Sequence, residues 1–148
     1  MTTFEFNKRI DEIEEPVLLP EDWYPFRISE EPELAENKAK TGKNLVIRLE
    51  CISDNPIYKG RIFTIWLAWP SVEDSSSYTA RGENLYDLKM RRIAGFVEAF
   101  EGSVQGSTID IVRGGRGLAY VTVGLDQQGK GPVNSIDSFS GFKPYAPF

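Results

Sequence analysis

The sequence predicts a mainly β domain: an antiparallel barrel of five to six strands, with one helix between strands three and four. Three observations carry that expectation. Apolar and polar residues alternate with period two in Trp23–Ser29, Asn44–Ile52, Arg61–Trp69 and Leu118–Leu125. Only one stretch, Leu85–Phe100, has apolar residues at helical spacing. The segments between are polar and rich in Gly, Asn, Asp and Pro, the residues of turns.

The first 20 residues read as an acidic arm, with Phe4, Phe6, Ile10 and Ile13 as apolar anchors and Pro16 and Pro20 around Val17-Leu18-Leu19. Residues 21–142 form the barrel domain and 143–148 a Pro-rich tail. In the first strand Tyr24, Phe26 and Ile28 share one face, and Pro25 marks an edge or bulge. Glu30–Glu36 continues it as a bent strand. A turn with Lys38, Lys40 and Lys43 leads to the second strand, where Leu45, Ile47 and Leu49 oppose Val46, Arg48 and Glu50. The loop Ser53–Gly60 precedes the third and most apolar strand, with Phe63, Ile65 and Leu67 on one face and Ile62, Thr64, Trp66 and Ala68 on the other.

Pro70–Gly82 reads as a long, mobile loop. Asn84 is placed to cap the helix, with Asp87 three residues on, and Gly102 ends it. Ser107–Val112 is equally compatible with a short strand and a helical turn. Arg113-Gly114-Gly115-Arg116-Gly117 is a turn, Leu118–Leu125 a strand with Ala119, Val121 and Val123 on one face, and Asp126–Gly131 a hairpin loop. Val133–Phe142 is a weak final strand. Three strands, a helix, then two or three strands is the order of the OB fold.

Composition narrows the chemistry. With 41% hydrophobic residues the 148-residue chain can bury a core, and it is long enough for one domain. It contains no histidine, which excludes Ser-His-Asp and Cys-His catalysis and His-containing metal sites. No calcium-loop or paired acidic motif is present, so no cofactor is expected. The one cysteine, Cys51, cannot form an internal disulfide and lies in an apolar run, in keeping with a cytoplasmic protein. No run of apolar residues is long enough to span a membrane. The carboxylates, lysines and tyrosines form no recognisable catalytic spacing, and the expectation is a protein that is not an enzyme.

Charge is unevenly distributed. Residues 1–36 hold three Lys and Arg against eleven Asp and Glu, a net of −8. Residues 37–148 hold fourteen against eleven, a net of +3. A binding surface responds to that local sign more than to the total of −5.

Short elements of the chain resemble a family of small phage proteins encoded near recombination and replication genes, regarded as OB-fold and single-stranded-DNA-binding-like. They are Leu19-Pro20-Glu21-Asp22-Trp23-Tyr24, Lys40-Thr41-Gly42-Lys43-Asn44-Leu45, Tyr58-Lys59-Gly60-Arg61-Ile62-Phe63, Ile93–Phe100, Gly115–Val123, Asn134-Ser135-Ile136-Asp137 and Pro144. The resemblance implies sequence-tolerant binding of single-stranded DNA in phage replication or recombination, inside the infected cell. Implied partners are single-stranded DNA and phage or host replication and recombination proteins, with a homo-oligomer allowed. The rival expectation is an interaction or structural module that uses the barrel surface without DNA.

Single strands are held by cations along the phosphates and by rings that stack on bases. Candidates for those roles are Lys38, Lys40, Lys43, Arg48, Tyr58, Lys59, Arg61, Trp66, Arg113, Arg116 and Tyr120. Each has a plainer reading: a solvated turn for the lysines, an ion pair with Glu50 for Arg48, a core position for Trp66, a tight turn for the Arg113–Gly117 glycines. Lys89, Arg91 and Arg92 read as the solvated face of the helix. The final Ala146-Pro147-Phe148 resembles the Pro-Phe tip by which bacterial single-stranded DNA-binding proteins recruit partners, so Pro147 and Phe148 are partner-binding candidates. Here Lys143 and Tyr145 stand where that tip has an acidic run.

Overall fold

A computed structural model of the chain describes residues 1–12, 17–125, 129 and 131–145. Among these residues there are nine strands and one α-helix: β1 (Asp22–Ile28), β2 (Glu33–Glu36), β3 (Lys43–Cys51), β4 (Ile62–Ala68), α1 (Leu85–Ala99), β5 (Ser103–Gln105), β6 (Thr108–Asp110), β7 (Arg116–Leu125), β8 (Pro132–Ile136) and β9 (Phe142–Pro144). All strand pairs are antiparallel. Seven strands form one sheet along the path β2-β3-β1-β7-β8, with β4 on β3 and β9 on β7; β5 and β6 make a separate hairpin.

The mainly β class is as expected; the barrel differs in three ways. It is not closed: β4 and β8 approach each other, but no ladder joins them among the described residues. There are nine strands rather than five or six, and α1 follows the fourth strand rather than the third. The expected first strand breaks at Ser29–Pro32, where Pro32 has no N–H to donate to a ladder. The expected last strand breaks at Asp137–Gly141, around a short 3-10 turn closed by Gly141 at φ 77°. Ser107–Val112 supplies β6, because hairpin pairing with β5 gives its backbone partners.

β3 organises the sheet. One edge pairs β4 along its length, while the other pairs β2 through Lys43–Val46 and β1 through Leu49–Cys51. Its inward residues Leu45, Ile47 and Leu49 are buried with Phe26, Ile28, Ile65 and Leu67. Each such side chain contributes about 1.5–3 kcal/mol by leaving water. α1 covers this core with Ile93, Phe96, Val97 and Phe100. Asn84 caps the helix by accepting from the Asp87 N–H at 3.2 Å. The Phe96 and Phe100 rings stack at 4.5 Å, and Phe142 of β9 meets Phe96 edge-on at 5.0 Å. Phe100 approaches the β7 backbone so closely that a Cβ on Gly117 would lie 2.6 Å from its ring, which explains glycine there.

The segment boundaries shift accordingly. Leu19, assigned to the arm, is fully buried, and its backbone is clamped by the Asn134 side chain, which donates to Leu19 O at 2.9 Å and accepts from Leu19 N at 2.8 Å. Lys143 and Pro144, assigned to the tail, pair with β7. The stretch Pro70–Gly82 is not a featureless loop. It holds a 3-10 turn, Val72–Ser76, anchored by Asp74, which accepts from the Ser71 N–H at 2.8 Å and from Lys89 Nζ at 2.9 Å. No described helix is long and apolar enough to cross a membrane.

Candidate nucleic-acid interface

Alternation along β4 fixes where Trp66 points. Ile65 and Leu67 fill the core, so Trp66 projects from the outer face, opposite Val46 of β3, and is 61% exposed. This decides against the core position. On the other side of β4 lies the turn Ser138–Ser140, and Asp137 sets its shape. One carboxylate oxygen accepts from the Phe139 N–H at 2.9 Å, the other from the Ser140 hydroxyl at 2.6 Å. The Ser140 bond, helped by the backbone N–H groups of Phe139 and Ser140, holds the Asp137 carboxyl below the usual aspartate range against the opposing effect of burial. The turn thereby presents Phe139 to solvent, 78% exposed. The Arg92 guanidinium of α1 lies 4.8 Å above its ring.

Trp66 and Phe139 line one cleft of about 110 Å³, together with Ala68, Lys89 and Arg92. Two neighbouring hollows share lining residues with it: one, through Arg92, Ser138 and Phe139, adds Arg91 and Phe142, and the other, through Ala68 and Lys89, adds Lys43 and Trp69. The cations of the cleft and these hollows are not equivalent. Lys89 is paired with Asp74, whose carboxyl is held below its usual range by the Ser71 N–H first and Lys89 second. Arg91 reaches Glu83 at 3.4 Å. Arg92 has no ion pair among the described residues. The acids of β2 lie on the far side of β3, with Glu33 opposite Val46 and Glu36 opposite Lys43.

The expected cations and rings do not form one strip. Lys38 and Lys40 are exposed on the turn between β2 and β3, and Lys43 opens β3 beside Trp69. Arg48 is on the outer face opposite Thr64 but pairs with Glu30 at 3.4 Å; Glu50 instead takes Arg27 at 2.6 Å. Lys59 and Arg61 sit at the other end of β4, with Arg61 roughly 26 Å from Lys43 at about 3.3 Å per residue. Tyr58 is partly buried, edge-on to Tyr24 at 5.8 Å, because its ring helps cover the core. Tyr120 is partly buried against Trp23 at 5.5 Å, its partner across β1 and β7, and Lys143 covers the Trp23 ring at 4.2 Å. Arg113 is exposed on its turn, while Arg116 is held by Glu101 at 3.2 Å and lies over Tyr145 at 4.6 Å. Pro147 and Phe148 lie outside the described residues, as does most of the Asp126–Gly131 hairpin loop.

Phe139 and Arg92 are the residues that sequence reasoning missed. Asp137 before Ser-Phe-Ser and Gly141 after it form a turn signature that singles out Phe139 as the exposed tip. No comparable local signal marks Arg92, whose neighbour across the cleft is 47 residues away in sequence. Burial pushes the Cys51 thiol up, away from the reactive thiolate. No three His, Cys, Asp or Glu side chains among the described residues converge as metal ligands. No protein-family model matches the chain, and no curated protein matches it.

Proposed function

We propose that this chain binds single-stranded DNA with little sequence preference, in phage DNA replication or recombination, and that it is not an enzyme. One observation carries the reading: two exposed rings, Trp66 and Phe139, border a single cleft with Arg92 above one of them. Rings supply stacking surfaces that every base can use, and a guanidinium supplies a phosphate contact. The topology is consistent with an OB-like barrel. With β1 and β2 taken as one bent strand, the order β4-β3-β1-β7-β8 and a helix between β4 and β7 correspond to the OB arrangement, whose second and third strands face oligonucleotides. In that correspondence β3 and β4 are those strands, and Lys38 and Lys40 lie on the loop leading into them.

Titration with poly-dT tests the reading. Tryptophan fluorescence should be quenched as Trp66 stacks. Two phosphate contacts, from Lys43 and Arg92, give a slope of about −1.4 in log K against log salt, or roughly 7-fold weaker binding between 50 and 200 mM. Absence of quenching and of a gel shift at low salt defeats the proposal.

A further inference from the structure

We propose that the Trp66–Phe139 cleft also receives the N-terminal segment Phe4-Glu5-Phe6 of a second copy of this chain, so that two chains exchange arms. The inference rests on the cleft accepting rings and anions, the reading given above. It starts from an anomaly at the other end of the chain. Residues 1–12 are all exposed, and among them Phe4 and Phe6 are 89% and 77% exposed. Two phenyl rings left in water forgo about 1.5–3 kcal/mol each that burial would recover.

The segment matches the cleft chemically. Phe4-Glu5-Phe6 alternates ring, carboxylate, ring, as a single strand of nucleic acid alternates bases with phosphates. The cleft offers the complement: the Trp66 and Phe139 rings, and the Arg92 guanidinium, which has no carboxylate partner among the described residues. The match is local to this tripeptide: Glu5 is the carboxylate between the two rings, and Lys8 and Arg9 leave residues 1–12 with a net charge of only −1. The ten residues between Phe6 and Val17 can span at most about 35 Å, the reach available to bring Phe4-Glu5-Phe6 onto a neighbouring domain. Within one chain the arm stays off the cleft, as its uniform exposure shows, so the occupant that fits is a second copy's arm. Reciprocal exchange gives a closed two-fold dimer.

Sedimentation of the full-length chain without DNA tests this. The wild type should be a dimer at tens of micromolar. Phe4→Asp/Phe6→Asp should be a monomer with its cleft intact, and Trp66→Ala or Phe139→Ala a monomer with its arm intact. Mixing an arm variant with a cleft variant should restore a one-to-one complex, held by one arm–cleft contact instead of two. Added oligo-dT should dissociate the wild-type dimer. A monomeric wild type overturns the inference, as does a dimer that survives both classes of substitution. DNA binding with no arm-dependent dimer removes only the arm exchange. An arm-dependent dimer that ignores DNA removes only the proposed function.

Discussion

Replacing Trp66 with alanine separates binding from folding, because the side chain projects away from the core. Its ring is 61% exposed and faces only Val46 across the ladder. Losing that cross-strand contact costs about 0.2–1 kcal/mol of stability. For a chain of this length, that lowers Tm by no more than about 4 °C. The effect on binding is larger. A base stacked on an aromatic ring contributes about 1–3 kcal/mol, so Trp66→Ala should weaken binding of a dT oligomer by roughly 5- to 150-fold. The assay is fluorescence anisotropy of labelled dT oligomers, since the substitution removes the tryptophan expected to report stacking and leaves only Trp23 and Trp69. Trp66→Phe, which keeps a ring, should recover most of the loss. Affinity within twofold of wild type for Trp66→Ala, with the fold intact by circular dichroism, would refute the assignment of the cleft.

Three further outcomes are expected. Arg92→Ala should reduce affinity and lower the salt slope by about 0.7, whereas Arg116→Ala, removing a cation already held by Glu101, should leave the slope unchanged; equal effects would show that the cleft is not the contact region. Asp74, Glu101 and Asp137 have carboxyls depressed in the fold, so the stability they contribute is present above the unfolded value of about 4 and is lost as pH falls through their folded values. Urea midpoints should therefore drop below pH 4, and Asp74→Asn should shrink the difference between pH 6 and pH 3. Gly117→Ala places a methyl 2.6 Å from the Phe100 ring and should destabilise by about 1–3 kcal/mol in urea unfolding, while Gly124→Ala, which meets open space, should not.

Local pattern carried most of the architecture. Period-two alternation assigned the inward faces of β1, β3, β4 and β7, and Asn84 and Asp87 marked the start of α1, because these features depend on neighbours within a few residues. The breaks at Ser29–Pro32 and Asp137–Gly141 were less legible. Pro32 and Gly141 are visible, but whether a chain bends or stops at them depends on which strand it pairs with next. Closure of a sheet is the least local property of all, since β4 and β8 are 64 residues apart at their nearest ends. The site followed the same rule. Trp66 could be placed outside by alternation, whereas Arg92 over Phe139 joins the helix to a turn that follows two further strands of the sheet. Tyr58 and Tyr120, expected as stacking surfaces, are partly buried because a tyrosine serves a core edge as readily as a surface, its ring packing while its hydroxyl stays wet.

The acidic pI near 4.9 says little about what the cleft can hold, and the reason is geometric. The acids nearest Trp66 in the ladder, Glu33 and Glu36, are on β2, separated from β4 by the width of β3. Of the acids that do reach the cleft and its neighbouring hollows, Asp74 is already paired with Lys89 and ordered by Ser71, while Glu73 lines the hollow at Lys43 and Trp69 without an ion pair among the described residues. Neutralised pairs present little net field, whereas Arg92 meets an approaching anion without first releasing a partner among the described residues. The remaining negative charge is concentrated in the first 36 residues, with a net −3 in residues 1–16 and a net −5 in residues 17–36. In the proposed exchange, Glu5 of the arm and the phosphates of an oligonucleotide compete for the same cation, Arg92. Salt should therefore weaken both arm and oligonucleotide, and oligonucleotide should prevail where its several phosphates outnumber the single carboxylate of Phe4-Glu5-Phe6.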